Sequence, residues 1–160
     1  QTHVQQIATA ALAAQGIAAE RVLVTPTPFN TIAWRVVAVQ REHYLEGFYS
    51  LLDQQRTIAF ERFDRGADLE AELGTVDALQ RIAAFSQGFY ALRQDGPKVL
   101  ISDLRMGQEP VYIFTFAIAE RASPPQALAV PLQVGVRPDV AKLMPWLWRR
   151  IKGEAIPPPR

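Results

Sequence analysis

Residues 85–107 read Phe-Ser-Gln-Gly-Phe-Tyr-Ala-Leu-Arg-Gln-Asp-Gly-Pro-Lys-Val-Leu-Ile-Ser-Asp-Leu-Arg-Met-Gly. Two alternating runs flank Asp95-Gly96. Asp and Gly both tolerate the positive φ of a tight primed turn, so the stretch predicts a β-hairpin over residues 88–93 and 98–104. With Asp95-Gly96 as a two-residue loop, Gln94 faces Pro97, Tyr90 faces Ile101, Gly88 faces Asp103 and Ser86 faces Arg105. Side chains alternate along a strand, which puts Ser86, Tyr90, Ile101, Asp103 and Arg105 on one face. That face runs from apolar near the turn to polar and charged at the open end.

Working outward, residues 75–84 predict a helix capped by Thr75, with Val76, Leu79, Ile82 and Ala83 on its inner side, and residues 68–73 a short acidic helix or turn. Before these, three runs alternate: 31–41, 44–52 and 57–63. In the first, Trp34, Val36 and Ala38 point one way and Arg35, Val37 and Val39 the other. The partner of Arg35 depends on the length of the loop at Glu42-His43, since one residue of slip changes every pair. Residues 21–25 predict a further strand, followed by the rigid, irregular Thr25-Pro-Thr-Pro-Phe-Asn30. Residues 2–15 predict a helix with Val4, Ile7, Ala8, Ala11 and Leu12 on one face, ended by Gly16. Beyond the hairpin, 111–120 reads as the last long strand and 121–139, with four prolines, as loop. Residues 139–152 predict a final helix interrupted at Pro145, and 153–160 a flexible Pro-rich tail. The expected fold is therefore α+β: one domain over residues 1–152, built on a mostly antiparallel sheet of about six or seven strands with N-terminal, central and C-terminal helices.

The composition narrows function mainly by exclusion. The 160 residues carry a net charge of +1, which does not advertise nucleic-acid binding. The chain has no cysteine, which removes disulfide, thiolate and zinc-ribbon chemistry. No run of about 18 apolar residues is present to span a membrane as a helix. The chain begins at Gln1 rather than at Met, as a processed product or a domain excised from a longer protein would, and the expectation for residues 2–15 is a helix lying on a sheet, with continuation from a preceding membrane segment as the alternative. His3 and His43 are the only histidines, and neither belongs to a His-Glu-x-x-His pair. Ser86 lies in Phe-Ser-Gln-Gly, which is no nucleophile elbow. Glu46, Asp53, Glu61 and Asp103 are carboxylates expected on strands, and nothing pairs them for acid–base work.

The chemistry-bearing constellation is Arg35, Asp103 and Arg105 with Ser86, Tyr90 and Asn30. Two arginines around one aspartate retain donors for a phosphate or carboxylate, whereas a buried ion-pair cluster fixing strand register is the structural alternative. Trp146, Trp148, Arg149, Arg150 and Lys152 form an aromatic-basic group of the kind membrane interfaces favour. The alternative there is a closing helix whose tryptophans pack on the sheet while the bases face water.

Taken together, Thr-Pro-Phe-Asn-Thr-Ile-Ala-Trp-Arg (27–35), Tyr-Leu-Glu-Gly-Phe-Tyr-Ser-Leu-Leu-Asp (44–53), Phe-Ser-Gln-Gly-Phe-Tyr (85–90) and Ile-Ser-Asp-Leu-Arg-Met-Gly (101–107) resemble the C-terminal soluble part of the bacterial YdjM-like family of inner-membrane-associated metal-dependent hydrolases. The resemblance covers roughly residues 20 to 120 and falls on Asn30, Trp34, Arg35, Gly47, Tyr49, Ser50, Ser86, Gly88, Phe89, Tyr90, Asp103, Arg105 and Gly107. It implies a soluble domain cut from an inner-membrane protein, with the periplasmic side preferred. It also implies that the divalent metal belongs to the missing membrane part, with no metal ligand or other cofactor in this chain. The partners it implies are the protein's own membrane domain and a lipid-derived or anionic small molecule. The alternatives are a purely structural or protein-interaction domain, and a stand-alone hydrolase using Glu46 and Asp103.

Overall fold

In the computed structural model, which describes residues 1–160, the segments run α1 (Thr2–Ala14), β1 (Arg21–Pro26), β2 (Ala33–Val39), β3 (His43–Ser50), β4 (Phe60–Asp64), α2 (Ala67–Leu73), α3 (Asp77–Phe85), β5 (Tyr90–Asp95), β6 (Lys98–Asp103), β7 (Gly107–Gln108), β8 (Val111–Tyr112), β9 (Thr115–Glu120), β10 (Gln126–Gln133) and α4 (Val140–Ile151). The fold is α+β with antiparallel pairing, but the single sheet of six or seven strands is replaced by three sheets. Their strand orders are β1-β2-β3-β4, β10-β9-β6-β5 and β7-β8. The reason lies in the hairpin. β6 takes β5 on one side and β9 on the other, which completes its two hydrogen-bonding edges without a strand of the first meander. The chain, expected as one domain over 1–152, divides into two compact units: Gln1–Gln40 with Leu45–Phe63 and Asp139–Arg160, and Arg41–Tyr44 with Asp64–Pro138.

In the first unit β2 and β3 are buried along almost their whole length, so both faces of the sheet are covered. Trp34, Val36 and Tyr49 meet Val4, Ile7, Ala8 and Ala11 of α1 on one face. Ala33 and Phe48 meet Trp146 and Leu147 of α4 on the other, with the Phe48 and Trp146 rings edge-on at 4.9 Å. Parity then places Arg35 and Glu46, the single charges at the middle of their strands, on the α4 side. Gly47 faces the other way, against the segment leading into β4. A Cβ there would lie 2.5 Å from Ile58 Cγ2 and 2.9 Å from the Ala59 carbonyl oxygen. Gly47→Ala is expected to cost about 1–3 kcal/mol by overpacking, read as a lowered midpoint in urea with an unchanged slope.

In the second unit the hairpin turns at Gly96-Pro97, one residue later than expected, and Tyr90 pairs with Asp103, Leu92 with Ile101 and Asp95 with Lys98. Gly96 has φ +56, and proline cannot follow it with a positive φ, so the turn is of the II′ rather than the I′ kind. The register moves by two positions, which leaves Tyr90, Ile101 and Asp103 on one face as predicted. Tyr90, Leu92, Val99, Ile101 and Ile118 on this face pack with Leu73 of α2 and with Ala78 and Leu79 of α3.

Two expectations at the C-terminal side fail for reasons of proline chemistry. Residues 121–139, read as loop, contain the eight-residue strand β10, whose pairing with β9 shifts between Ala127 and Leu132. Pro131 lies within that irregularity, on an edge strand that needs no donor on its outer side. α4 runs unbroken through Pro145, capped by Asp139, whose Oδ1 accepts from the Lys142 amide at 3.2 Å. Residues 153–160, expected as a flexible tail, are part of the first unit and hydrogen-bond within it at Ile156 and Arg160. The predicted strand 111–120 is split between β8 and β9.

Candidate functional site

The six predicted binding residues fall into separate places. Arg35 and Asn30 belong to the first unit, and Ser86, Tyr90, Asp103 and Arg105 to the second. Asn30 staples the proline-rich loop. Its Oδ1 accepts from the amides of Ile32 (2.9 Å) and Ala33 (2.7 Å), and its Nδ2 donates to Thr27 Oγ1 (2.8 Å) and the Pro28 carbonyl (3.0 Å). This is the work of a turn asparagine, with acceptor and donor both turned on its own backbone. Ser86 ends α3 and donates its hydroxyl to the Ala83 carbonyl at 3.1 Å in a fully buried position. Tyr90 gives its ring to the Arg65 guanidinium, 4.5 Å from the centroid, and its hydroxyl lies 2.5 Å from Glu70 Oε1.

Asp103 and Arg105 do come together, at the open end of the hairpin. Asp103 Oδ1 accepts from both the Arg105 amide (2.9 Å) and Arg105 Nε (3.0 Å), while Oδ2 accepts from Nη2 at 2.7 Å. The Asp103 side chain is buried and that of Arg105 is 25 % exposed, and the Nε–Nη2 edge of the fork is fixed on the carboxylate. Its hydrogen bonds to Asp103 hold Arg105 firmly in the charged form, above its ordinary range. Phe85, 67 % exposed, lies beneath it with its ring centroid 5.1 Å away. An oriented, permanently charged donor beside an exposed aromatic ring can hold an anionic group.

The second polar centre is in the first unit. Arg35 donates from Nε to Glu46 Oε2 at 2.6 Å, with both side chains buried in the sheet. Glu46 Oε1 accepts from Arg160 Nη1 at 2.9 Å, and Arg160 Nη2 reaches Glu61 at 2.5 Å, giving a row of alternating charge. Burial works against the Arg160 charge, but Glu61 and Glu46 outweigh it and raise the guanidinium above its usual range. Beside this row Arg150 clasps Asp53 with both terminal nitrogens at 2.5 Å and donates to the Phe48 carbonyl at 2.8 Å. Glu46, Asp53, Glu61, Arg150 and Arg160 line a cleft of about 570 Å³. The aromatic-basic group is divided. Trp146 and Arg150 are buried, and Trp148 is exposed with Lys152 5.2 Å from its ring.

From the sequence, Glu46, Asp53 and Glu61 belong with Asp103 to a set of carboxylates without a convincing pairing, and Arg150 belongs to the aromatic-basic group; their meeting in one cleft is not expected. One signal was present. β2 and β3 are apolar runs with one full charge each at the centre, Arg35 and Glu46, and lone opposite charges in neighbouring buried strands require each other. Nothing local pointed to Arg160. A third polar contact, between the Tyr44 hydroxyl and Glu109, was also unread. Burial, then the neighbouring Tyr112 and Glu109, pushes the Tyr44 phenol far above its ordinary range, so it stays protonated. No group of three His, Asp or Glu side chains is arranged to hold a metal ion. No helix is long and apolar enough to cross a membrane.

Comparison of the chain with protein-family models, with curated proteins and with solved structures finds no match to any of them.

Proposed function

We propose that the chain is an accessory or substrate-binding domain of a membrane-bound metal-dependent hydrolase, with the catalytic metal site outside this chain. One observation carries the binding half of this reading. Each of the four candidate carboxylates already takes an arginine: Glu46 takes Arg35, Asp53 takes Arg150, Glu61 takes Arg160 and Asp103 takes Arg105. A general base needs a lone pair aimed at substrate, and these are aimed at guanidinium groups. Arg105, in contrast, is a partly exposed cation suited to an anionic or lipid-derived group. The membrane and hydrolase half rests on the resemblance of the four quoted motifs. In this reading Arg105 orients substrate for chemistry performed by the membrane part.

Arg105→Ala in the full-length protein is expected to raise KM about tenfold or more with kcat nearly unchanged, the signature of lost ground-state binding. Hydrolysis by this chain alone with added divalent metal would overturn the reading. A structural role is favoured specifically for Arg35 and Glu46, because both are buried in the sheet and pair there. Glu46 and Asp103 as a stand-alone catalytic pair is disfavoured by the arginines that hold them.

A further inference from the structure

Residues 153–160 belong to no helix or strand, yet they follow a defined course over the cleft of the first unit. Gly153, at φ +87, turns the chain out of α4 so closely that a Cβ would lie 2.5 Å from the Leu52 carbonyl oxygen. The Ile156 carbonyl accepts from the Trp146 indole at 3.1 Å, and its side chain packs with Ala33, Phe48 and Leu147. Prolines 157–159 then keep the backbone extended at low entropic cost. They deliver Arg160 to Glu46 and Glu61, with its guanidinium 4.9 Å from the Phe63 ring centroid.

Two carboxylates in reach of one fork and an aromatic face under its plane complement a guanidinium and suit a compact ammonium poorly. The receiving groups all lie on β3, on β4 or between them, and only the occupant comes from an irregular segment. The charge arrangement also permits exchange. Glu46 holds Arg35 on its other oxygen at 2.6 Å, so the departure of Arg160 does not strand a buried carboxylate. Glu61 is half exposed and returns to water. With Ala155, Ile156, Pro157, Pro158 and Arg160 in place as part of its wall, the cleft still holds about 570 Å³ of open space, in the range of a small-ligand site.

We propose that this cleft is a guanidinium-binding site filled in cis by Arg160, and that residues 153–160 form a displaceable strap over it. The ligand carries a guanidinium group, either on an extended arginine-containing peptide or as a small compound. The inference stands on the first unit alone and does not depend on the hydrolase reading.

The test titrates the wild-type chain and Arg160→Ala by calorimetry with the peptide Glu-Ala-Ile-Pro-Pro-Pro-Arg, with the same peptide ending in Gln, and with agmatine. A tethered competitor acts at an effective concentration in the millimolar range, so Arg160→Ala should bind the arginine peptide at least about tenfold tighter than wild type. The Gln peptide should not bind, and adding Glu61→Gln to Arg160→Ala should weaken arginine-peptide binding at least about fivefold. Agmatine binding would identify a small guanidinium as sufficient, whereas binding of the peptide alone would assign the site to an extended segment. Equal or absent binding of the arginine peptide to the two proteins overturns the proposal, as does Gln-peptide binding of equal strength. Loss of folding in Arg160→Ala, seen first in a thermal melt, overturns it too, because the strap would then be part of the fold.

Discussion

Replacing Glu46 by Ala is expected to remove about 3–5 kcal/mol of folding stability, a large part of the 5–15 kcal/mol that holds an ordinary domain together. The side chain is fully buried in the centre of β3, and the change leaves Arg35 charged and buried in β2 without its carboxylate. A guanidinium cannot escape by losing its proton, so the cost appears in folding. Urea unfolding of the purified chain measures it. Glu46→Gln, which keeps an acceptor at the same place, should cost clearly less than Glu46→Ala. The double change Arg35→Met with Glu46→Leu should return to within about 2 kcal/mol of wild type, since buried pairs are often matched by apolar residues of similar volume. A Glu46→Ala chain as stable as wild type would mean that the pair is open to water. The double change also separates two uses of Glu46. If the sheet survives it and the arginine peptide no longer binds on an Arg160→Ala background, then Glu46 serves the cleft as well as the sheet.

The fold was most legible where a local pattern and its tertiary use agree. α1 was expected over residues 2–15 from its alanine-rich stripe and is found at Thr2–Ala14, with that same stripe against Trp34 and Val36. The hairpin was legible in kind and in face but not in register. Asp95-Gly96 and Gly96-Pro97 are both acceptable turns, and a shift of two residues leaves side-chain parity intact. The number of sheets was not legible, because pairing between distant strands has no local signature. Pro131 and Pro145 stand where the sequence predicts loop and a helix break, and neither forms, since the cost of a proline depends on the neighbours of its missing N–H. An edge strand tolerates Pro131 in β10, and α4 tolerates an exposed Pro145 while Trp146, Leu147 and Arg150 hold the helix by their burial.

The predicted site was legible in part for the same reason. Asp103 and Arg105 are two residues apart, and local geometry alone brings them together. Arg35 is 68 residues from Asp103, and their grouping required a sheet that does not form; Arg35 instead meets Glu46, only 11 residues away. Asn30 and Ser86 are polar members of the predicted constellation. Their side chains are occupied by backbone groups a few positions away, a competing use that short polar residues in loops and helix ends commonly have. The cleft escaped because Arg150 and Arg160 reach it from the far end of the chain, 97 residues beyond Asp53 and 114 beyond Glu46.

Arg150→Ala is expected to cost a comparable amount, about 3–5 kcal/mol, through a different link in the structure. Arg150 is buried on α4 and makes a two-point clasp with Asp53, which in turn accepts from the Ser50 amide at 2.9 Å. The Ser50 hydroxyl donates to the Ile151 carbonyl at 3.0 Å, so the end of β3 and the end of α4 are joined twice. Losing Arg150 leaves Asp53 without its cation and the Phe48 carbonyl without a side-chain donor. Arg150→Lys restores charge but not the planar fork, and should recover less than half of the loss. Arg149→Ala, one residue away but exposed and paired only with Glu154, should change stability by less than about 1 kcal/mol. Hydrogen exchange gives the sharper readout. Arg150→Ala should expose the amides of α4 and of residues 153–156, which hang from its end. Arg160→Ala should raise exchange in the strap and leave α4 protected. If α4 exchanged equally in both variants, helix and strap would open as one unit and the strap could not be exchanged by a ligand. If only the strap responds to Arg160, then Asp53 and Arg150 form the fixed wall of the cleft and Arg160 its removable occupant.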